Sequence, residues 1–296
     1  MPLKDLRDLF LLASIWGSSF LFLRLAVHDF GPVPLIETRI GIGAAFLVAV
    51  AVATRRLPII LRHWRVITVG GIISVLLPFL LWGYAAQHLT AGFMAIVNAL
   101  APLFGAIVAR LWLGEHLTRM RMAGLAIGFG GIVILVWDSL SMPVPGQLWS
   151  IAASIGAPLC YGIAASFMTR YFKGLDPIAC AAGSIASSAL LLLPLTLVTW
   201  PATPVSGISW LSALLLGLAC TGIAYIIFYR LIENVGPSKS ITVTFLVPPF
   251  GVFWGAVVLD EAVTWPVIMG AGTVLLGTLL ATGVLHADSL RRTDTR

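Results

Sequence analysis

Charge is scarce in this sequence. Only 10% of its 296 residues are Asp, Glu, Lys or Arg, against about 25% in a soluble globular chain. With 59% hydrophobic residues and a mean hydropathy of +1.01, a soluble fold of this length would expose large apolar patches and aggregate. Lipid is therefore the solvent for most of the chain. Cysteine is scarce too. Cys160, Cys180 and Cys220 lie far apart in apolar runs; their odd number gives no disulfide framework, and no CxxC or Cys/His spacing suggests a metal. They read as small packing residues, and no cofactor is expected. The histidines, His28, His63, His88, His116 and His286, fall near the ends of apolar runs. None forms HExxH, and no P-loop pattern is present, which argues against a metallohydrolase and against direct use of ATP.

What the chain has instead is a series of apolar runs long enough to cross a bilayer. They fall near residues 8–27, 34–54, 66–86, 91–113, 120–137, 147–169, 177–199, 209–229, 239–259 and 265–285. Turn or charge signals separate them: Gly31-Pro32, Arg55-Arg56, Gly114-Glu115, Pro143-Val144-Pro145, Gly174-Leu175-Asp176-Pro177, Pro201 to Pro204, Gly236-Pro237 and Asp260-Glu261. The first run is too long for the apolar region of a signal peptide and is expected to stay as the first span.

The basic residues orient the spans. Lys4, Arg7, Arg55, Arg56, Arg62, Arg65, Arg110, Arg119, Arg121, Arg170, Lys173, Arg230, Lys239, Arg291, Arg292 and Arg296 occupy every second connection and both termini. The net charge of +6 is thus a topological signal rather than a sign of nucleic-acid binding. It predicts ten spans with both termini in the cytoplasm. Trp64, Trp112, Trp137, Trp149, Trp200, Trp210 and Trp265 lie near predicted span ends, as in an interfacial belt, whereas Trp16, Trp82 and Trp254 lie inside spans.

The chain also repeats itself. At an offset of 146 residues, Val97, Leu100, Pro102, Phe104, Gly105, Leu113, Glu115, Thr118, Gly124 and Gly131 meet Val243, Leu246, Pro248, Phe250, Gly251, Leu259, Glu261, Thr264, Gly270 and Gly277 without a gap. Chance overlap of apolar residues supplies Val and Leu matches; it does not readily supply Pro, Gly, Glu and Thr in register. Each repeat holds five spans, an odd number, so the second copy is inverted. The expected architecture is an all-α membrane protein of ten helices in two inverted five-helix repeats, residues 1–140 and 146–286, followed by a cytoplasmic tail at 287–296. Inverted repeats suit alternating access, because two similar halves can exchange conformations.

Trp16-Gly17-Ser18-Ser19, Arg39 following Pro34, Asn98-Ala99-Leu100-Ala101-Pro102 running to Gly114-Glu115, and the later Pro248 to Glu261 copy resemble the EamA-type repeat of the drug/metabolite transporter superfamily. The resemblance covers essentially the whole chain. It implies a ten-helix metabolite transporter of the inner membrane, often an exporter, whose cavity is formed by spans one, three, four, six, eight and nine. Amino acids, their derivatives and drugs are the implied substrates. The copies differ: Asp260 stands where the first has Gly114, and Trp-Gly-Ser-Ser is not reproduced near Cys160-Tyr161-Gly162.

Polar groups within a bilayer should face protein or a wet cavity. Trp16, Ser19 and Phe20 share a helix face, with Arg24 further along; Arg24 either receives a carboxylate or snorkels to the interface. Arg39 and Glu37 begin the second span, as an ion pair across helices or as a gate. Asn98 and Thr244 each lie one turn before a proline, Pro102 and Pro248, which frees an upstream carbonyl and makes either a hinge or part of a site. Trp82, Tyr84, Gln87 and His88 follow Pro78. Tyr161, Thr221, Tyr225, Phe228, Tyr229 and Trp254 complete a set suited to an aromatic cavity. Gly124 and Gly128 form a GxxxG that suits packing within a repeat, or a homodimer contact. Asp, Glu and Lys are absent from the middle of every span, which disfavours a central carboxylate proton relay and leaves Glu37 and His88 as fallback protonation sites. The sequence expectation is transport of a small metabolite, foremost export of amino acids or related carboxylates. Drug or organic-cation efflux is the alternative, and a channel or sensor the reading from another class. Arg24 and Arg39 favour the carboxylate.

Overall fold

The computed structural model describes residues 2–140, 145–236, 240 and 242–282, with side chains of 138–140 left aside. The 287–296 tail, Lys239, Arg291, Arg292 and Arg296 lie outside these residues. Every regular element among the described residues is helical. Ten apolar helices follow in order: α1 Leu3–Phe30, α2 Pro32–Ala53, α3 Trp64–Ala85, α4 Ala91–Leu113, α5 Arg119–Trp137, α6 Gln147–Tyr171, α7 Pro177–Thr199, α8 Gly207–Val235, α9 Val243–Leu259 and α10 Trp265–Thr282. All but α9 reach the length of a membrane span within the described residues. The chain is an integral membrane protein. Only helices or closed barrels satisfy every backbone polar group in hydrocarbon.

Local chemistry sets the helix ends. Gly31, at φ 76°, ends α1, and Pro32 starts α2 without needing an N–H partner. Thr90, Asp176 and Ser206 cap α4, α7 and α8 by accepting the N–H groups of Phe93, Ala179 and Ser209. At the ends of α4 and α9 the chain turns through left-handed residues, Gly114 at φ 74° and Asp260 at φ 53°. There Glu115 N–H reaches Ala109 O at 3.3 Å, and Glu261 N–H reaches Gly255 O at 3.1 Å. The sequence difference between Gly114 and Asp260 is therefore conformationally silent, since Asp tolerates this region better than most side chains.

Pairings recur in the same pattern. α1 packs on α9 and α4 on α6; α1 packs on α8 and α3 on α6; α2 packs on α8 and α3 on α7; α2 pairs with α7 and α5 with α10. Exchanging each helix for the one five places away converts each pair of the first three sets into its companion and leaves α2–α7 and α5–α10 unchanged. Details follow suit. α3 and α8 each widen into a π-helical segment, Ile72–Leu76 and Leu218–Ile223, at the 146-residue offset. Gly17 of α1 meets Phe250 and Gly251 of α9, and Gly162 of α6 meets Phe104 and Gly105 of α4. Trp16-Gly17 thus has a spatial counterpart in Tyr161-Gly162, one residue short of the 146 register, which hides it from an ungapped comparison.

α5 and α10 approach closely through glycine. A Cβ on Gly277 would lie 2.2 Å from Gly128 N, and one on Gly124 would lie 2.5 Å from Ala281 N. The GxxxG of α5 is therefore an intramolecular packing surface. The described members of the basic set lie at one face of the bundle, at the α1, α3 and α5 starts and the α2, α4, α6 and α8 ends. This is the basic face, and the other is the opposite face. At the basic face, Arg230 pairs with buried Asp8 at 2.6 Å and Asn234 donates to buried Asp5 at 2.8 Å, tying α8 to α1.

Gly277→Val is expected to lower the thermal transition of the detergent-solubilised protein by the equivalent of about 3 kcal/mol. Gly130→Val, at a glycine with open space around it, should leave the transition nearly unchanged.

Candidate functional site

Arg39 stands out among the sequence candidates. It is only 6% exposed. Its Nε donates to the Thr221 hydroxyl at 3.2 Å, and its guanidinium carbon lies 3.8 Å from the centroid of the Phe79 ring. Tyr161, Tyr225 and Cys220 lie within its electrostatic reach. No carboxylate pairs with it among the described residues. A buried cation without a counter-ion is costly. A face-on aromatic ring and a neutral hydroxyl recover part of that cost, about 1–2 kcal/mol for the ring when desolvated.

Four helices bring this site together. α2 supplies Arg39, α3 supplies Phe79 and Trp82, α6 supplies Tyr161, and α8 supplies Thr221 and Tyr225. The π-helical segment of α8 aims the Thr221 hydroxyl, which donates to Leu216 O at 2.9 Å while accepting from Arg39. The Trp82 indole N–H sits beside the Tyr161 hydroxyl, and Trp82 packs edge-on against Phe20 at 5.1 Å. At equivalent positions of the other pair of helices, Trp16 packs on Phe228 at 5.3 Å.

A cavity of about 190 Å³ lies towards the basic face, between α3, α6, α7 and α8. Ser74 and Val75 of the α3 π-helical segment, Met168, Ser184, Tyr225 and Tyr229 are among its walls. Tyr225 and Tyr229 stack at 6.1 Å. Tyr225 is also within electrostatic reach of Arg39, which is not itself among the lining residues. At the mouth, Leu175 and Pro177 flank Asp176. Arg56 holds that carboxylate at 2.8 Å. Burial works against the charge of Asp176, but the N–H of Ala179 and the Arg56 guanidinium outweigh it and hold the carboxyl below its ordinary range.

Other candidates stand elsewhere. Arg24 donates to the terminal carbonyls of α3, Ala86 O at 3.0 Å and Gln87 O at 3.3 Å, a cation placed at a helix C-terminus. Tyr84 is 38% exposed, and the Gln87 amide folds back to Tyr84 O. His88 pairs with Ser150 at 2.9 Å and joins α3 to α6. These four residues belong to the opposite face and are not gathered around Arg39. Ser19 bonds back to Trp16 O, and the Trp254 indole donates to Ser14. Glu37, half-buried in α2, has one buried oxygen without a partner.

The prolines act differently. α4 breaks at Ala99-Leu100, between Ala91–Asn98 and Ala101–Val108, with Pro102 opening the second piece. The Thr278 hydroxyl of α10 reaches the Ala99 carbonyl at 3.1 Å. Asn98, half-buried, ends the first piece. α9 stays helical through Pro248 and Pro249, so Thr244 sits in an unbroken helix. Pro78 follows the π-helical segment of α3. Sequence reading missed Phe79 and both π-helical segments. Pro78 was the available signal for the first, since it removes a backbone donor; nothing comparable marks the second.

Comparison with known proteins agrees with this architecture. The model of the EamA-like transporter family matches residues 9–137 and again 148–283. An uncharacterized transporter of Bacillus subtilis (strain 168), YoaV, is 23% identical over 272 residues, spanning 90% of this chain and 93% of that protein. A protein of Streptantibioticus cattleyicolor named as a probable terminal-alkyne amino-acid exporter is 24% identical over 281 residues, spanning 94% and 93%. The inner membrane transporter YedA of Escherichia coli (strain K12), also uncharacterized, is 22% identical over 276 residues, spanning 93% and 89%. A solved crystal structure superposes with a TM-score of 0.69 at 19% identity, covering 95% of this chain and 98% of that one, and so shares the fold.

The Asp176 carboxyl is displaced downward on folding, so its stabilising effect is full above its unfolded pKa and is lost as pH falls through the lower folded value. Thermal stability of the solubilised protein should therefore fall below about pH 4 by more than in Asp176→Asn. At neutral pH the variant should be less stable by about 1 kcal/mol.

Proposed function

The chain belongs to the EamA-like transporter family, and we propose that this membrane transporter exports amino acids or related carboxylate-bearing compounds by alternating access across a bacterial inner membrane, both termini facing the cytoplasm. One observation carries the substrate class. Among the described residues, Arg39 is a buried guanidinium held only by neutral partners, Thr221 and the face of Phe79, and Tyr225, within its electrostatic reach, lines a largely apolar and aromatic cavity. A bound carboxylate supplies the counter-ion that the described residues do not, and Arg binds carboxylates in a fork with two parallel hydrogen bonds. The aromatic walls suit an apolar side chain.

The cavity opens towards the basic face, which the positive-inside bias puts in the cytoplasm, as the inward-facing state of an alternating-access transporter does. The recurrent helix pairings and the two π-helical segments support two inverted five-helix units, 1–140 and 146–286, as the machinery of exchange. The relative named as a probable terminal-alkyne amino-acid exporter supports the same class. Glu37 favours a second reading, efflux of organic cations, because its buried oxygen is free to meet a cation.

The test is counterflow in proteoliposomes with labelled amino acids, carboxylate analogues lacking the amine, and organic cations. Saturable exchange of compounds that carry a carboxylate is the expected result; exchange confined to cations would replace this reading with the Glu37 one. Arg39→Met should weaken exchange by at least about thirtyfold, the equivalent of about 2 kcal/mol. The same substitution should leave thermal stability unchanged or raised, because it removes an uncompensated buried charge. Arg24→Gln should lower stability and leave substrate preference intact.

A further inference from the structure

The Arg39 site leaves unexplained a second charged group that reaches across the bundle. Glu261 follows α9, yet its carboxylate caps the first turn of α4. Oε1 accepts from Ala91 N–H at 2.7 Å and Oε2 from Gly92 N–H at 3.0 Å. Together with the Thr90 hydroxyl on Phe93 N–H at 3.2 Å, it satisfies three donors that a helix start leaves free. Such hydrogen bonds to a carboxylate are about twice as strong as neutral ones, and the helix dipole favours the negative charge there.

The surroundings are built around this contact. A Cβ on Gly255 would stand 2.3 Å from Glu261 Oε2, so the glycine keeps the place of the carboxylate open. One turn earlier, a Cβ on Gly251 would lie 2.2 Å from Ala95 Cβ, and Gly92 faces Val252. The last turns of α9 and the first piece of α4 are thus in contact along small residues. Beyond the break at Ala99-Leu100, the second piece of α4 packs on α6 instead. α4 and α9 converge at the opposite face and part towards the basic face, the side to which the cavity is offset. Glu115, the counterpart of Glu261 in the 146-residue register, is 55% exposed at the basic face, with Arg121 4.0 Å away.

We propose that Glu261 is the latch of the opposite face: its carboxylate on the α4 amides holds α4 against α9, and its release opens the Arg39 site to that side. The small-residue contacts of this seam, Gly251 with Ala95 and Gly92 with Val252, carry no polar group. The two charge-assisted hydrogen bonds are the part of this seam that must be broken. Glu261 is a positioning residue, then, which sets the balance between the two faces without touching substrate. This inference rests on the alternating-access reading above.

The test measures both faces without substrate. In full-length protein with Cys160, Cys180 and Cys220 replaced by alanine, Met168→Cys reports on the basic-side cavity through its rate of modification by a small methanethiosulfonate. Hydrogen exchange of Ala91 to Phe93 reports on the latch. Glu261→Gln should raise exchange at Ala91 to Phe93 and slow modification at position 168, by about tenfold or more for loss of one charged hydrogen bond, because opening one face closes the other. Gly255→Ala, which displaces the carboxylate and changes no charge, should do the same. Faster exchange with unchanged or faster modification in both variants would make Glu261 a helix cap only and overturn the proposal; so would no change at either probe. Counterflow by unsubstituted protein keeps the two readings apart: if no carboxylate compound exchanges, the substrate assignment fails, while the two-face result stands or falls on its own probes.

Discussion

In hydrocarbon there is no water to complete an unmet hydrogen bond, and the arrangement of this protein follows from that constraint. Backbone groups are satisfied within helices, and polar side chains are either spent on the backbone or gathered where protein faces them. Ser18, Ser19, Thr38, Ser154, Ser188, Thr196 and Thr278 bond back to carbonyls of their own helices. Arg24 covers the last carbonyls of α3, and Glu261 covers the first amides of α4. Against this background, the partial coverage of Arg39 is informative. It has a hydroxyl and a ring where every other rule of the fold calls for an anion.

Association of the helices depends on close approach rather than on hydrophobic drive, since lipid tails are as apolar as the side chains. Glycine makes that approach possible where it matters. Gly124, Gly128 and Gly277 join α5 to α10, Gly17 and Gly251 join α1 to α9, and Gly105 and Gly162 join α4 to α6. These seams differ in chemistry. The α5–α10 seam is glycine against backbone along both helices. The α4–α9 seam adds a carboxylate at one end. On the latch proposal, that carboxylate gives the α4–α9 seam a single point of release.

The π-helical segments give the bundle its interior. An inserted residue widens the helix and re-aims the side chains around it. In α8 this turns Thr221 to Arg39, and in α3 it places Ser74 and Val75 on the cavity wall. Their equivalent positions in the two halves of the chain mean that both sides of the central space are shaped by the same local defect. Phe79 and Tyr225, one turn beyond each segment, are in register at the 146-residue offset; the ring of Phe79 lies under Arg39, and Tyr225 is within its electrostatic reach.

The amino-acid sequence by itself determined the solvent of this chain, the number of its apolar segments, the face on which its basic residues gather and the recurrence of its second half. All of these are one-dimensional properties: composition, run length, charge position and register. Helix ends were legible too, because Gly31-Pro32 and Gly114-Glu115 act through their own backbone chemistry. The site was legible only as a set of residue types. Arg24 and Arg39 read alike in a linear chain, each a cation inside a span. Tertiary structure separated them, since the terminal carbonyls of α3 lie against one and an uncharged hydroxyl and ring meet the other. Tyr84, Gln87 and His88 stand apart from Arg39 for the same reason, because periodicity places a residue on a helix face without saying which neighbour meets that face. Contacts between Glu261 and Ala91, separated by 170 residues, depend on how α4 and α9 cross, and crossing is decided by packing of whole helices, which no local pattern records.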